Sequence, residues 1–368
     1  MRLLAIDDGH SEMKVTWLAD GVGGAIETAS FPSRTIRGFE EAEASGRLPP
    51  ALYAVYESEE PVSVERHDMM MVVPRGRALS ERGDTRSGDY PVSDRNRVLV
   101  HHAIHERGYS AVDVVLGTTL PYSDWHGPGG RRNEKLMAAK KANIAKAVWD
   151  FDRDELRPVR PEYRVVDHGI YSEGMAAFFD AMLAYDGRAV SVDPGFAERF
   201  GYVSSFLVVD IGGKTTDLVY GSWGGDPAEA PRINVALSES LNIGALGAAD
   251  DLEERVRSKF GIRTVADRES ALFERFVPVF GKQRDIAEDC DEACAKFANR
   301  VREAVLRNAG DGSHLARVMF VGGGARLLRG HVEAMFDPEV VLVPEEPQFA
   351  NARGILKLMK SEHDARAA

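Results

Sequence analysis

One device, used twice, most constrains what this chain can fold into: an apolar run ending in aspartate, a glycine-containing turn, and a second apolar run. In the first copy LLAI, residues 3–6, leads into Asp7, Asp8 and Gly9, and the chain returns as MKVTWL. In the second, FLVV, residues 206–209, leads into Asp210 and IGGKTTD, and returns as LVY before Gly221. Short apolar runs joined by such turns predict β-hairpins. Their recurrence predicts two related halves, each presenting a carboxylate and a glycine turn to a shared cleft.

The remaining periodicities predict an α/β protein. Helices are expected over residues 95–107, 133–148, 172–185, 250–260, 285–308, 327–335 and 351–362, with strands at 69–73, 112–119, 163–166 and 317–321. Residues 40–63 are mixed and polar, and residues 75–88 and 126–130 read as loops. With 368 residues, 44% of them hydrophobic and 28% charged, the chain can bury a sizeable core, and two domains are expected.

Charge and cysteine content exclude several classes. Lys and Arg number 46 against 58 Asp and Glu, a net −12, which argues against broad binding to DNA phosphates or an anionic membrane. Cys290 and Cys294, four apart in a helical stretch, suit neither a disulfide framework nor a zinc site and read as reduced thiols. Only four apolar residues precede Asp7, too few for a signal-peptide core or a membrane span, so a cytoplasmic protein is expected.

Three motifs carry chemistry. In IDDGHSEMK a strand-end carboxylate can hold hydrated Mg²⁺ while the turn's N–H groups face phosphate oxygens. In VVDIGGKTTD two glycines allow the backbone to approach a polyphosphate, and Thr215 and Thr216 add hydroxyls. In MFVGGGARLL three glycines stand between a buried strand and a helix, where the backbone can pass flat against a base or lie near an α-phosphate. No Gly-Lys-Ser/Thr follows, so this is not a Walker A loop. Lys14 reads as a phosphate partner, with an outward strand lysine as the alternative.

In this order the three motifs resemble those of the actin superfamily of ATPases, and within it the chain resembles ParM, also called StbA, the bacterial plasmid-segregation actins. The opening AIDDGHSEMKV is similar to that family's first phosphate loop. RNRVLVHHAIHERGYSAVDVVLGTTLPYSDW and NEKLMAAKKANI are similar to stretches that sugar kinases have no chemical reason to share. The resemblance implies a two-lobed actin-like α/β fold, each lobe with a ribonuclease-H-like core. Domain I would be residues 1–175 completed by a C-terminal helix at 345–368, and domain II residues 176–344.

It also implies ATP, with GTP as an alternative, and Mg²⁺ in the cleft. Asp7 and Asp210 would flank the magnesium. Asp8, Gly9, Ser11 and Lys14 from the first loop and Gly212, Gly213, Lys214 and Thr215 from the second would hold the phosphates. Asn242, Gly244, Gly322, Gly323 and Gly324 would line the nucleoside. Where the family places a water-orienting glutamate the chain reads VVDHGIYSEGM; His168 aligns there, with Asp167 or Glu173 as substitutes and a purely structural His168 as the alternative.

The implied function is an ATPase that polymerises into filaments and moves plasmid or other DNA through a ParR-like adaptor, touching DNA only indirectly and no membrane. Rivals are a small-molecule kinase, a non-polymerising nucleotide switch or scaffold, and a Rossmann-type dehydrogenase, the last opposed by the lack of an opening GxGxxG. His101, His102 and His105 are expected to be packing residues rather than metal ligands. Arg131, Arg132, Lys135, Lys140, Lys141 and Lys146 are expected to form a solvated helix face or a subunit contact. Together with the loop at 126–130, that basic helix is the expected filament contact.

Overall fold

The computed structural model describes residues 1–19, 24–37, 51–57, 69–73, 85, 87–152, 155, 157–200, 204–224, 229–265 and 267–367. Most of the expected loop at 75–88 and much of 40–63 lie outside them.

The first hairpin is β1 (Arg2–Asp8) and β2 (Glu12–Leu18), paired antiparallel so that Asp7 faces Lys14. β3 (Ile26–Pro32) extends it on one side, while β4 (Asp113–Leu120) and then β5 (Arg164–Ser172) add in parallel on the other. The second hairpin is β6 (Ser204–Ile211) and β7 (Thr216–Trp223), and β8 (Leu315–Val321) lies parallel to β6. Short strands at Arg232–Ile233 and Val341–Leu342 extend this sheet in the same order as the first, outer strand, hairpin return, hairpin entry, then two parallel strands, and Glu239–Leu241 pairs as a sixth strand with β7. The repeated sequence device is thus a repeated topology.

The middles of both hairpin-entry strands, residues 3–6 and 206–209, are apolar because both of their faces are covered. Alternation sends Leu4 and Ile6 of β1 to one core with Val98, Val100 and Ile104 of α1 (Asp94–His105). Leu3 and Ala5 go to another core with Ile355, Leu356 and Met359 of α8 (Ala350–Ala367). In the second sheet Leu207, Val209 and Ile211 pack with Ala293, Val301 and Val305 of α6 (Ala287–Ala309), and Phe206 and Val208 with Phe178 and Met182 of α3 (Met175–Met182). Phe178 stacks on Phe206 with ring centroids 4.0 Å apart.

Helices α3 and α8 cross between the sheets. Gly354 permits the contact, since a Cβ there would come within 1.8 Å of the Ala176 carbonyl oxygen. Arg353 and Lys357 fasten it by donating to Asp180 at 2.7 Å each.

Several expected boundaries shift. α2 (Glu134–Ala145), capped by Asn133, ends before residues 146–148 because Val148–Asp152 pairs as a strand with Ala51–Val55. The helix expected at 172–185 shortens to α3, and Leu183–Tyr185 becomes a strand of a small hairpin with Val190–Val192. α4 (Ala245–Phe260) starts earlier than expected. GGGA is itself the start of α7 (Gly322–Leu327), not a loop before a later helix. His101 and His102 are core residues, bonded to Tyr163 and Tyr53.

Candidate active site

β1 and β6 end side by side in Asp7 and Asp210, and their turns face each other. A Cβ on Gly213 would lie 2.6 Å from Ser11 Cβ, so the second turn needs glycine where the two come together. Gly212 closes that turn by donating to Thr215 O at 2.9 Å. The third glycine motif abuts both: Gly322 has φ +86°, and a Cβ there would sit 2.5 Å from both Asp210 Oδ1 and Ile211 O. Gly9 lies against Lys14, whose Nζ is 3.4 Å from Asp7 Oδ2.

Two adjoining cavities result. A polar one of about 30 Å³ is lined by Asp7, Gly9, Glu173, Asp210, Lys214 and Thr215 among others. A larger one, about 310 Å³, takes in Ser11, Arg34, Gly323 and Gly324 and shares Lys14 and Gly213 with the first. The larger cavity has the volume of a small-ligand site, and the smaller one adjoins it at the two glycine turns.

Asp7, Glu173 and Asp210 line the small cavity, and the buried Asp217 lies opposite Asp210 on β7. Burial, reinforced by Asp7, pushes Asp210 up to about 6, and burial together with Asp210 pushes Asp217 to about 7. Burial and the charges of Asp7, Asp217 and Asp210 raise Glu173 well above the carboxylate range. Asp7 is raised by burial, against which Lys14 acts. Such mutual repulsion favours a divalent cation in their midst. Among the described residues no group of three or more His, Cys, Asp or Glu is arranged to hold a metal directly.

The sequence reading missed several members of this arrangement. Asn351, at the start of α8, accepts from Gly174 N at 3.1 Å and donates to Asp210 Oδ2 at 2.6 Å. Lys140 does not belong to a solvated face: it is buried, with Nζ 2.6 Å from Asp8 Oδ2 and a further bond to Thr119 O. Its helix is otherwise polar and lysine-rich, so no sequence signal separates it from its neighbours.

Several expected site residues stand elsewhere. Asp8 borders the small cavity, but its carboxylate accepts from Lys140, from Asn96 at 2.5 Å and from Thr119 N at 3.0 Å, which ties β1 to α1, α2 and β4. Lys140 first among these partners holds its pKa down against burial. Asn242 is exposed and lines neither cavity. Gly244 lies behind the second turn, where Ala245 and Leu246 donate to Gly212 O and Gly213 O at 3.0 and 2.8 Å.

His168 and Asp167 lie mid-strand, outside the cleft. His168 Nε2 is 2.9 Å from Thr118 Oγ1, burial pushes its pKa down to about 3, and both residues border a separate cavity with Tyr171 and Met359. Glu173, directly after β5, is the carboxylate that reaches the cleft. The reason is strand length: β5 runs to Ser172, past the expected end at residue 166.

Comparison with known proteins places this architecture. The solved structure of an archaeal actin homologue in complex with ADP superposes with a TM-score of 0.69 at 21% identity, covering 98% of this chain and 99% of that one. The chain has an actin-like fold. A 15-stranded ParM filament from Clostridium botulinum gives a TM-score of 0.70 at 15% identity over 98% and 99% of the two chains. Bacillus thuringiensis ParM with AMPPNP gives 0.65 at 13% over 99% of each. Family models match this actin-like chain in two parts: plasmid segregation protein ParM, N-terminal, over residues 79–174, and archaeal actin homologue MreB-like, C-terminal, over residues 208–334. Comparison with curated sequences yields no match. No helix among the described residues is long and apolar enough to cross a membrane.

Proposed function

We propose that this chain is a Mg²⁺-dependent ATPase that assembles into filaments and segregates plasmid or other DNA through a DNA-binding adaptor. The observation that carries the reading is the convergence of both glycine turns, the Gly322 helix start and the buried carboxylates on one cleft. In it the lobes are residues 1–175 with 345–368, and 176–344. Gly9, Lys14, Gly212, Gly213, Lys214 and Thr215 hold the phosphates, Ser11 closes over them, and Gly323 and Gly324 lie against the nucleoside.

Asp7 and Asp210 orient the waters of a bound Mg²⁺, which supplies charge neutralisation at the phosphates. Glu173, which borders the small cavity beside Asp7 and Asp210, orients the attacking water. Nucleotide binds elements of both sheets, so it selects the closed cleft, and hydrolysis weakens that selection. Similarity to a structure described as a ParM filament supports polymerisation.

The test is light scattering and pelleting of purified protein with Mg-ATP, Mg-GTP, Mg-ADP or nothing, with phosphate release followed in the same samples. Nucleotide-dependent polymer that decays with phosphate release is expected. A chain that binds nucleotide yet stays monomeric at high concentration would refute the filament reading.

A further inference from the structure

His10 stands in the first glycine turn and borders the small cavity but not the larger one. Its ring is held from outside the turn. Nδ1 is bonded to the carbonyl oxygen of Thr85, and Thr85 Oγ1 donates back to His10 O at 2.5 Å. Tyr90 packs against the ring, with centroids 4.8 Å apart. The next residue, Ser11, donates to Glu269 of α5 (Arg268–Glu274) at 2.6 Å, so the turn is pinned from both halves of the chain.

A carbonyl oxygen only accepts, so the bond to Thr85 requires a proton on Nδ1. In a neutral imidazole that leaves Nε2 a bare lone pair, and among the described residues no donor meets it. The ring is neutral in the nucleotide-free protein. Burial pushes its pKa down to about 4 and Lys214 and Lys140 act the same way, against the Thr85 carbonyl and Asp8. Tyr90, whose pKa burial raises, stays uncharged beside it.

A phosphate oxygen is also an acceptor. Against a neutral His10 it would meet a lone pair, and moving the ring proton to Nε2 would only transfer that conflict to Thr85. One form alone satisfies both partners, the imidazolium, which donates from both nitrogens. We propose that His10 takes up a proton from solvent when the terminal phosphate of a nucleoside triphosphate enters the small cavity, and that its Nε2–H then donates to that phosphate. The inference rests on the nucleotide reading above and adds a proton to it.

Position singles out the terminal phosphate, because His10 shares the small cavity with Glu173 and Asp210 and is absent from the wall of the larger one. The charge of the triphosphate offsets burial and the two lysines. When phosphate leaves, Nε2 loses its acceptor and the proton returns to solvent. The added affinity is therefore complete below the free value of about 4 and fades as pH rises through the bound one. Asp7, Glu173 and Asp210 shed protons when a cation arrives, the opposite direction, so a difference between variants isolates the proton of His10.

The test is isothermal titration calorimetry with Mg-AMPPNP and with Mg-ADP near the ordinary histidine value, about pH 6.5, in two buffers of different ionisation enthalpy, so that the heats count protons. Wild type is compared with H10N, whose amide N–H reaches Thr85 O but has nothing at the Nε2 position, and with H10Q, which puts a neutral donor there. Melting identifies the folded variants, and either one suffices. Wild type is expected to take up about half a proton or more per AMPPNP beyond each variant, with no such difference for ADP, and H10N to bind AMPPNP about ten-fold more weakly. Equal proton exchange in wild type and variants overturns this inference and leaves nucleotide binding standing. The same difference with ADP assigns His10 to an inner phosphate and likewise overturns it; a wild type that binds neither nucleotide overturns both readings.

Discussion

Glu173 and His168 belong to the same stretch of chain, and their surroundings separate their roles. Glu173 is buried among Asp7, Asp210 and Asp217, whereas His168 bonds to Thr118 away from the cleft. E173Q is expected to slow phosphate release by about 10²–10⁴-fold with nucleotide binding retained, while H168A leaves the rate unchanged; the reverse pattern in a phosphate-release assay would return the water-orienting role to His168. Lys140 has a structural role. K140M leaves the Asp8 charge buried without its cation and should cost roughly 3–5 kcal/mol of stability, read by urea denaturation.

The carboxylates also set a pH dependence. Asp210 and Asp217 keep their protons to about pH 6 and 7 when folded, against 3.8 ordinarily. Between about pH 4 and 7 the folded state therefore binds more protons, and these groups make it less stable as pH rises. His10 and His101, held down to about 4 by burial, act oppositely over an overlapping range, so a difference is the measurement. D217N should raise the melting temperature of nucleotide-free protein at pH 8 and not at pH 4; a shift independent of pH would reject this.

At the scale of elements, apolar strands and glycine turns were legible because a doubly covered strand must be apolar on both faces and a tight turn needs glycine. Strand and helix ends were less so. Residues 146–148 continue a helical composition, yet pairing with Ala51–Val55 takes Val148 into a sheet. Leu183–Tyr185 leaves its helix for the same reason, a partner at Val190–Val192 that local propensity does not reveal. The start of α7 yields the sharpest element prediction. G322A would place a methyl against Asp210 Oδ1 at a positive φ, and should weaken nucleotide binding and lower stability by about 1–3 kcal/mol; titration with a fluorescent nucleotide and melting check both effects.

At the scale of the molecule, side chains bridge the cleft directly. Arg34 from the first half reaches Asp267 and Glu269 of the second, and the backbone N–H groups of Ser123 and Ser240 each donate to the other's hydroxyl, at 2.9 and 3.0 Å. R34A should open the nucleotide-free cleft and speed nucleotide release, seen as a larger radius of gyration by small-angle scattering; an unchanged radius would reject the latch. Within the expected filament contact at 126–130, Gly130 lies against Val235 of the other half and Gly129 is exposed.

What the sequence determined by itself is local: two aspartate-tipped hairpins, a glycine-rich helix start and enough apolar residues to cover two sheets. Those follow from side-chain alternation and backbone freedom, which neighbouring residues suffice to specify. Only the tertiary structure decided that Asn351 reaches Asp210, that Lys140 is a buried partner of Asp8, and that Glu173 rather than His168 borders the cleft. Each depends on where a strand ends or on which helix lands opposite it, and burial then sets the charge of the groups that meet.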